Sequence, residues 1–254
     1  MEIRFDGKVV LVTGASRGIG KATAEAFSQS GARVMVHFKS NKAAAESVIK
    51  TLPGSDHFLF QADLSVPEQI EHLVQQVIRT CGKIDILVNN AGIFGEYDMA
   101  ALDYQSFREY WETTVNVNLR GPAFLSFLVA REMMKHGGGK IVNITSRGAF
   151  RGEPDAWAYG ASKAGLNSLG QSMAQALASH NIFIFTLAPG YVGTDMTTSQ
   201  LSGEKAAAIA SQSPMKRVAQ PSEIAQAIVM LAAGGNEYMT GCILDMNGAS
   251  YLRM

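Results

Sequence analysis

The apolar run Val9-Val10-Leu11-Val12 passes directly into Thr13-Gly14-Ala15-Ser16-Arg17-Gly18-Ile19-Gly20, and a helical pattern carrying Ala22, Ala26 and Phe27 follows. A run that is apolar and largely β-branched at every position predicts a strand covered on both faces. Strand, glycine-rich turn and helix in this order make an anion site, because missing side chains let a diphosphate approach the amides at the positive end of the helix. Gly14, Ser16, Arg17, Gly18, Ile19 and Gly20 are therefore candidate ligands; the same glycines would also serve a plain tight turn. Two other matches fall away. Gly20-Lys21 matches the end of a triphosphate-binding loop, but Ala15 replaces its first glycine and Ala22 its Ser or Thr. Gly14-Ala15-Ser16-Arg17-Gly18 has the spacing of a hydrolase nucleophile elbow. That fold needs an oxyanion-hole amide from an earlier strand, which the short stretch before Gly14 is not expected to supply.

Strand and helix then alternate. Arg33 to Phe38 reads as a strand, Asn41 to Thr51 as a helix and His57 to Gln61 as a strand. Pro67 to Cys81 is helical, with Ile70, Leu73, Val74, Val77 and Ile78 on one face, and Ile84 to Val88 is a fourth strand. Such alternation predicts an α/β fold with a parallel, doubly wound sheet and right-handed crossovers. The end of the second strand lies where such a fold inspects the adenosine ribose, and it reads Phe38-Lys39-Ser40. An acidic residue there would repel a 2′-phosphate. Lys39, Ser40 and Arg17 instead offer donors and positive charge, which favours NADP(H) over NAD(H).

The 254 residues contain no composition break, linker or repeat, so residues 1–254 are expected to form one domain. Lys and Arg number 22 against 22 Asp and Glu, which removes the electrostatic case for nucleic acid or an anionic membrane as partner. No apolar run approaches a membrane span and the amino terminus lacks a secretion pattern, so a soluble, cytoplasmic protein is expected. Cys81 and Cys242 have no metal spacing and the five histidines no ligand constellation, so no metal is required.

The fourth strand ends in Asn89-Asn90-Ala91-Gly92, whose amides can fasten neighbouring loops and whose small residues leave room for a flat ligand. Asp103 to Lys135 is mostly helical and includes Asn116, Asn118 and Gly121-Pro122. Pro122 has no amide hydrogen, so the Asn118 carbonyl loses its helical donor and is free to bind water; a simple kink in a packed helix is the alternative. Lys140 to Thr145 is a strand that delivers Ser146 at its carboxyl end, with Thr145 as the neighbouring hydroxyl. Thirteen positions later stands Tyr159-Gly160-Ala161-Ser162-Lys163, which places a phenol and an amine on one helix face. Ile182 to Leu187, a helix near Pro221 to Ala233, and Ile243 to Met246 complete the pattern.

The Thr-Gly-x-x-x-Gly-x-Gly loop, Asn-Asn-Ala-Gly and Tyr-x-x-x-Lys, in this order and across nearly the whole chain, resemble the short-chain dehydrogenase/reductase family. The resemblance implies a single-domain Rossmann-type fold with seven parallel strands and helices on both faces. It implies catalytic roles for Asn118, Ser146, Tyr159 and Lys163, with Asn116 and Thr145 as second choices. It adds Phe38, Asp63, Leu64, Asn90, Ala91, Gly92, Pro189, Gly190, Val192 and Thr194 to the cofactor set, together with Tyr159 and Lys163. The expected reaction is reduction of a carbonyl to an alcohol or its reverse. A phenol with a pKa of about 10 needs a neighbour that stabilises phenolate, a part assigned to Lys163, while Ser146 polarises the oxygen and Asn118 holds a relay water.

Arg147 to Ala156 is expected to be a loop walling the substrate pocket, and residues 190–215 a mobile lid. Overall the chain is most similar to 3-oxoacyl-carrier-protein reductases, which implies an acyl-thioester substrate and a homotetramer or dimer. Many of those place arginines where this chain has His136-Gly137-Gly138 and His180-Asn181. A free ketone, sugar or polyol, or cyclic carbonyl is the alternative substrate, and a cofactor-binding sensor or scaffold is the alternative from a different class.

Overall fold

The apolar run near the amino terminus forms β1 (Val9–Val12), and all four of its side chains are buried. Val10 and Val12 enter one core while Val9 and Leu11 enter another, as the period of two requires of a strand covered on both sides. Each such side chain contributes about 1.5–3 kcal/mol by leaving water. This computed structural model describes residues 3–98, 100–198, 201 and 203–253.

The further strands are β2 (Arg33–Phe38), β3 (Phe58–Gln61), β4 (Ile86–Asn89), β5 (Gly139–Ile144), β6 (Ile182–Pro189) and β7 (Ile243–Met246). Together they make one parallel sheet in the order β3-β2-β1-β4-β5-β6-β7. The helices are α1 (Gly18–Gln29), α2 (Lys42–Thr51), α3 (Pro67–Cys81), α4 (Tyr104–Val115), α5 (Gly121–Lys135), α6 (Gly148–Arg151), α7 (Trp157–Leu177), α8 (Gly203–Ser211) and α9 (Pro221–Ala232). Phe27, Ala45 and Ile224 bring α1, α2 and α9 onto one face. Leu73, Leu125 and Ala174 bring α3, α5 and α7 onto the other. The chain leaves β1 in one direction and returns to its other side at β4, so the loops at these two carboxyl ends diverge and open a crevice.

Local chemistry sets the boundaries. Pro67 opens α3, where a missing amide hydrogen costs nothing, and Gly82 closes it at φ 80° with its N–H on the Ile78 carbonyl. The Asn41 side chain caps α2 by accepting from Ala44 N–H at 3.0 Å.

Several expected boundaries shift. His57 stays outside β3 because its ring is engaged elsewhere, Nδ1 accepting from Val34 N–H at 3.0 Å. β4 and β5 run one to two residues out of step with the expected spans, and β6 extends to Pro189. The stretch expected as a loop after Ser146 contains the short helix α6. The long helical segment is interrupted by a π-helical turn at Asn116–Arg120, where Gly121 N–H reaches the Asn116 carbonyl five residues back. A wider turn is how the helix absorbs the donor missing at Pro122. Within the expected lid, α8 is formed, and residues 199, 200 and 202 lie outside the described residues.

Candidate active site

Short hydrogen bonds tie the loops after β1 and β4 together. Thr13 Oγ1 donates to the Val88 carbonyl at 3.1 Å and accepts from the amides of Asn90 and Ala91 at 2.9 and 3.0 Å. The Asn90 side-chain amide donates to the carbonyls of Thr13 and Gly14 at 2.8 and 3.2 Å. The loops then lie so close that a Cβ on Gly20 would sit 2.3 Å from the Gly14 oxygen and 2.5 Å from Asn90 Nδ2. Gly14 adds a positive φ of 62°, a region that side chains with a Cβ avoid. α1 begins after Arg17, which offers no capping side-chain bond, so the opening amides of the helix keep free donors.

Beyond these loops a cleft of about 550 Å³ runs along the carboxyl ends of the strands. Gly14, Ser16, Arg17, Gly18, Ile19 and Gly20 line its middle, Lys39, Ser40, Asp63 and Leu64 one end, and Asn90, Ala91 and Gly92 its floor. Ser146, Tyr159, Lys163, Pro189, Gly190, Val192 and Thr194 surround the other end. Two residues of the sequence-derived set are not on this wall. Phe38 is 3% exposed and its side chain packs in the core with Ala45 and Val48 of α2, because helices cover both faces of β2. Asn118 is fully buried behind the wall.

At the Lys39 end, Lys39 Nζ lies 2.8 Å from Asp63 Oδ2. Burial opposes ionisation of Asp63, but hydrogen bonds from Lys39 and Ser65 outweigh it and hold the carboxyl below its usual range. Arg17 faces Asp195 across the cleft mouth at 3.8 Å, with both side chains well exposed.

At the other end, Lys163 Nζ donates to the carbonyl of Ile144 at 2.9 Å and lies 5.8 Å from the centre of the Tyr159 ring. Burial pulls this ammonium down to about 8. Burial likewise pushes the Tyr159 phenol up to about 12, against a hydrogen bond from Ser146 that draws it down. Desolvation in this structure thus favours the protonated phenol, the form that can give up a proton. Ser146 Oγ accepts from Gly148 N–H at 3.0 Å, which orients the hydroxyl and leaves its own proton to donate. Phe94 meets the Tyr159 ring edge-on, with centroids 4.9 Å apart, and restricts its swing.

Asn118 clamps the loop after β4. Its Oδ1 accepts from Ile93 N–H at 2.8 Å and its Nδ2 donates to the Ile93 carbonyl at 2.9 Å. Gly92 sits between, where a Cβ would lie 3.3 Å from Asn118 Oδ1 and 3.4 Å from Lys163 Nζ. Asn116 contributes its carbonyl to the π-turn and Thr145 donates to the Leu187 carbonyl at 3.2 Å.

Sequence reasoning passed over three residues. His37 lines the cleft from inside β2. Thr197 braces the Val192–Thr194 turn by donating to the Val192 carbonyl at 2.6 Å and accepting from Thr194 N–H at 3.1 Å. Arg147 is 3% exposed, donates to Ser250 Oγ and Gln212 Oε1, and covers the Tyr191 ring at 5.0 Å. A polar residue inside an apolar strand was a usable signal for His37; nothing in the local sequence marked the other two.

Glycine loop, crevice at the strand switch, and a phenol, hydroxyl and amine at its far end define a dinucleotide-dependent oxidoreductase. Comparison with known proteins agrees. A family model described as enoyl-(acyl carrier protein) reductase matches residues 14–248. The 3-oxoacyl-[acyl-carrier-protein] reductase FabG of Thermotoga maritima is 37% identical over 250 residues, covering 97% of this chain and 98% of that one. FabG of Vibrio harveyi is also 37% identical over 250 residues, covering 98% and 100%. The crystal structure of gox2181 superposes with a TM-score of 0.91 at 31% identity, covering 98% of this chain and 97% of that one. The chain belongs to the short-chain dehydrogenase/reductase family. It is an oxidoreductase acting on CH–OH groups or the carbonyls they form.

Proposed function

We propose that this protein uses NADP(H) to reduce a carbonyl in a 3-oxoacyl thioester. The observation that carries the reading is the convergence of Ser146, Tyr159 and Lys163 at one end of the cleft, where desolvation favours the protonated phenol of Tyr159. The cleft fits a nicotinamide dinucleotide: the crowded glycines leave a side-chain-free floor, and the uncapped start of α1 offers donors to a diphosphate. Lys39 and Ser40 would hold a 2′-phosphate, Lys39 exchanging its Asp63 partner for a doubly charged one. When bound, NADP(H) supplies or accepts the hydride.

Tyr159 then gives its proton to the carbonyl oxygen, and Ser146, fixed through Gly148 N–H, donates a hydrogen bond to the same oxygen. Lys163 spends one N–H on Ile144 and keeps two for a ribose hydroxyl and for proton resupply. Asn118 holds the Ile93 peptide so that the floor beside Lys163 stays clear. In this reading residues 190–215 close over the substrate, and the assembly is a cytoplasmic homotetramer or dimer.

A free ketone, sugar or cyclic carbonyl is the second substrate reading. Gly138 has φ 123° and a Cβ there would lie 2.2 Å from the Asn181 oxygen, so these packed turns leave no room at position 138 for a docking arginine.

The test is a panel of acetoacetyl thioesters, ketones, quinones and sugars, followed by NADPH absorbance in wild type and Tyr159→Phe. Turnover on a thioester that drops at least about a hundredfold in the variant is expected. Near-normal turnover of Tyr159→Phe sinks the catalytic assignment, and a wild type faster with sugars or free ketones moves the substrate to the second reading.

A further inference from the structure

His37 occupies the penultimate position of β2, is 2% exposed, and still lines the cleft. Its neighbours Val36 and Phe38 are ordinary core residues, so a polar ring at this depth must account for both nitrogens. It does. Nδ1 accepts from Gly14 N–H at 3.0 Å and Nε2 lies 3.0 Å from the Ala62 carbonyl. Because an amide can only donate, Nδ1 must be bare, and the proton on Nε2 then satisfies the carbonyl. The main chain of the same residue adds a third tie: its carbonyl accepts from Ala15 N–H at 2.9 Å.

These bonds join the two walls of one end of the cleft. Gly14 and Ala15 open the glycine loop, while Ala62 directly precedes Asp63 and Leu64 on the opposite wall. We propose that His37 is a positioning residue that sets the span between the glycine loop and the Asp63-Leu64 edge, and so prepares the site for the adenosine diphosphate half of the cofactor. This rests on the dinucleotide reading of the cleft. The ring does not touch reacting atoms; it acts through Gly14 and Ala62. Engaging the first two loop amides also fixes which donors stay available to a diphosphate, namely those from Ser16 onward.

The test uses two variants of the full chain. His37→Phe preserves a ring of similar size and removes both side-chain bonds, whereas His37→Gln offers one acceptor and one donor. NADPH affinity is measured by fluorescence titration, alongside melting temperature, kcat at saturating cofactor, and KM for the carbonyl. The Phe variant is expected to weaken NADPH by about ten- to hundredfold, since two buried polar groups lose their partners. Its kcat and carbonyl KM should stay within about twofold, and Gln should recover most of the affinity.

Unchanged affinity in the Phe variant overturns the proposal while leaving the cofactor site intact. So does a Gln variant as poor as Phe, or a loss spread equally over cofactor affinity, carbonyl KM and kcat, as a general packing defect would give. Should the Phe variant not fold, imidazole nitrogen NMR of wild type decides: a bare Nδ1 and protonated Nε2 that respond to NADPH support the proposal, and a protonated Nδ1 or an unresponsive ring overturns it. A wild type that binds neither NADPH nor NADH overturns the dinucleotide reading itself, and this inference with it.

Discussion

Replacing Gly20 by alanine sets two effects of opposite sign against each other. In an isolated helix the exchange stabilises by roughly 0.5–1 kcal/mol, because glycine loses more backbone freedom on folding. Here the new Cβ would stand 2.3 Å from the Gly14 oxygen and 2.5 Å from Asn90 Nδ2. Neither can retreat cheaply, one being backbone and the other holding two carbonyls at 2.8 and 3.2 Å. Overpacking costs about 1–3 kcal/mol and each weakened hydrogen bond about 1 kcal/mol more. The steric terms win, for a net loss of about 2 kcal/mol. In a domain of this size that lowers the melting temperature by about 4–8 °C. Gly160, in α7, is the internal control: its nearest neighbours to an added Cβ are 3.6 Å away, an ordinary contact. Gly160→Ala should therefore raise the melting temperature by about 1–4 °C. Calorimetry of the two variants decides, and a Gly20→Ala protein that melts at or above wild type refutes the crowding account.

Lys163 should set the alkaline limb of reduction. It is charged below its value of about 8 and loses that charge above it, whereas Tyr159, at about 12, stays protonated throughout. The kcat/KM for a carbonyl should fall about tenfold per pH unit above that point, and a limb near an ordinary lysine value would contradict it. Lys39→Asp should weaken NADPH about tenfold or more while NADH is spared or improved, measured as KM for each; equal effects on both would remove Lys39 from phosphate recognition. Asn118→Ala orphans both polar groups of Ile93 at about 1–3 kcal/mol each, so it should melt below wild type in calorimetry, and an unchanged melting temperature would refute the clamp.

What could be read in advance was whatever depends on short-range periodicity. β1 and α3 follow from a run and a stripe that carry their own burial pattern, and the glycine loop from spacing alone. Pairings between distant segments could not be read. Lys39 was legible as a cation just past the end of β2, but its partner Asp63 comes from a different strand end. Phe38 was placed in the cofactor set by position, while α2 packs over it and buries the ring. An aspartate at position 38 would thus strand a carboxylate in the core, so cofactor choice has to be tested at Lys39. The Tyr159 and Lys163 side chains were correctly set on one helix face, yet the direction of their proton equilibria depended on desolvation by surrounding elements, which spacing does not reveal.

The π-turn at Asn116–Arg120 has a further consequence. Each residue advances a helix by about 100°, so a turn holding one more residue than an α-turn rotates everything after it relative to everything before it. The rod from α4 into α5 is in this sense two faces out of phase, α4 applied to α7 and α5 applied to α3. Gly121 marks the join, lying where a Cβ would meet the Leu64 oxygen at 2.6 Å. Deleting a single residue here would rewind the rod to a uniform pitch, and either the α3 contact or the Asn118 grip on Ile93 would turn away from its partner.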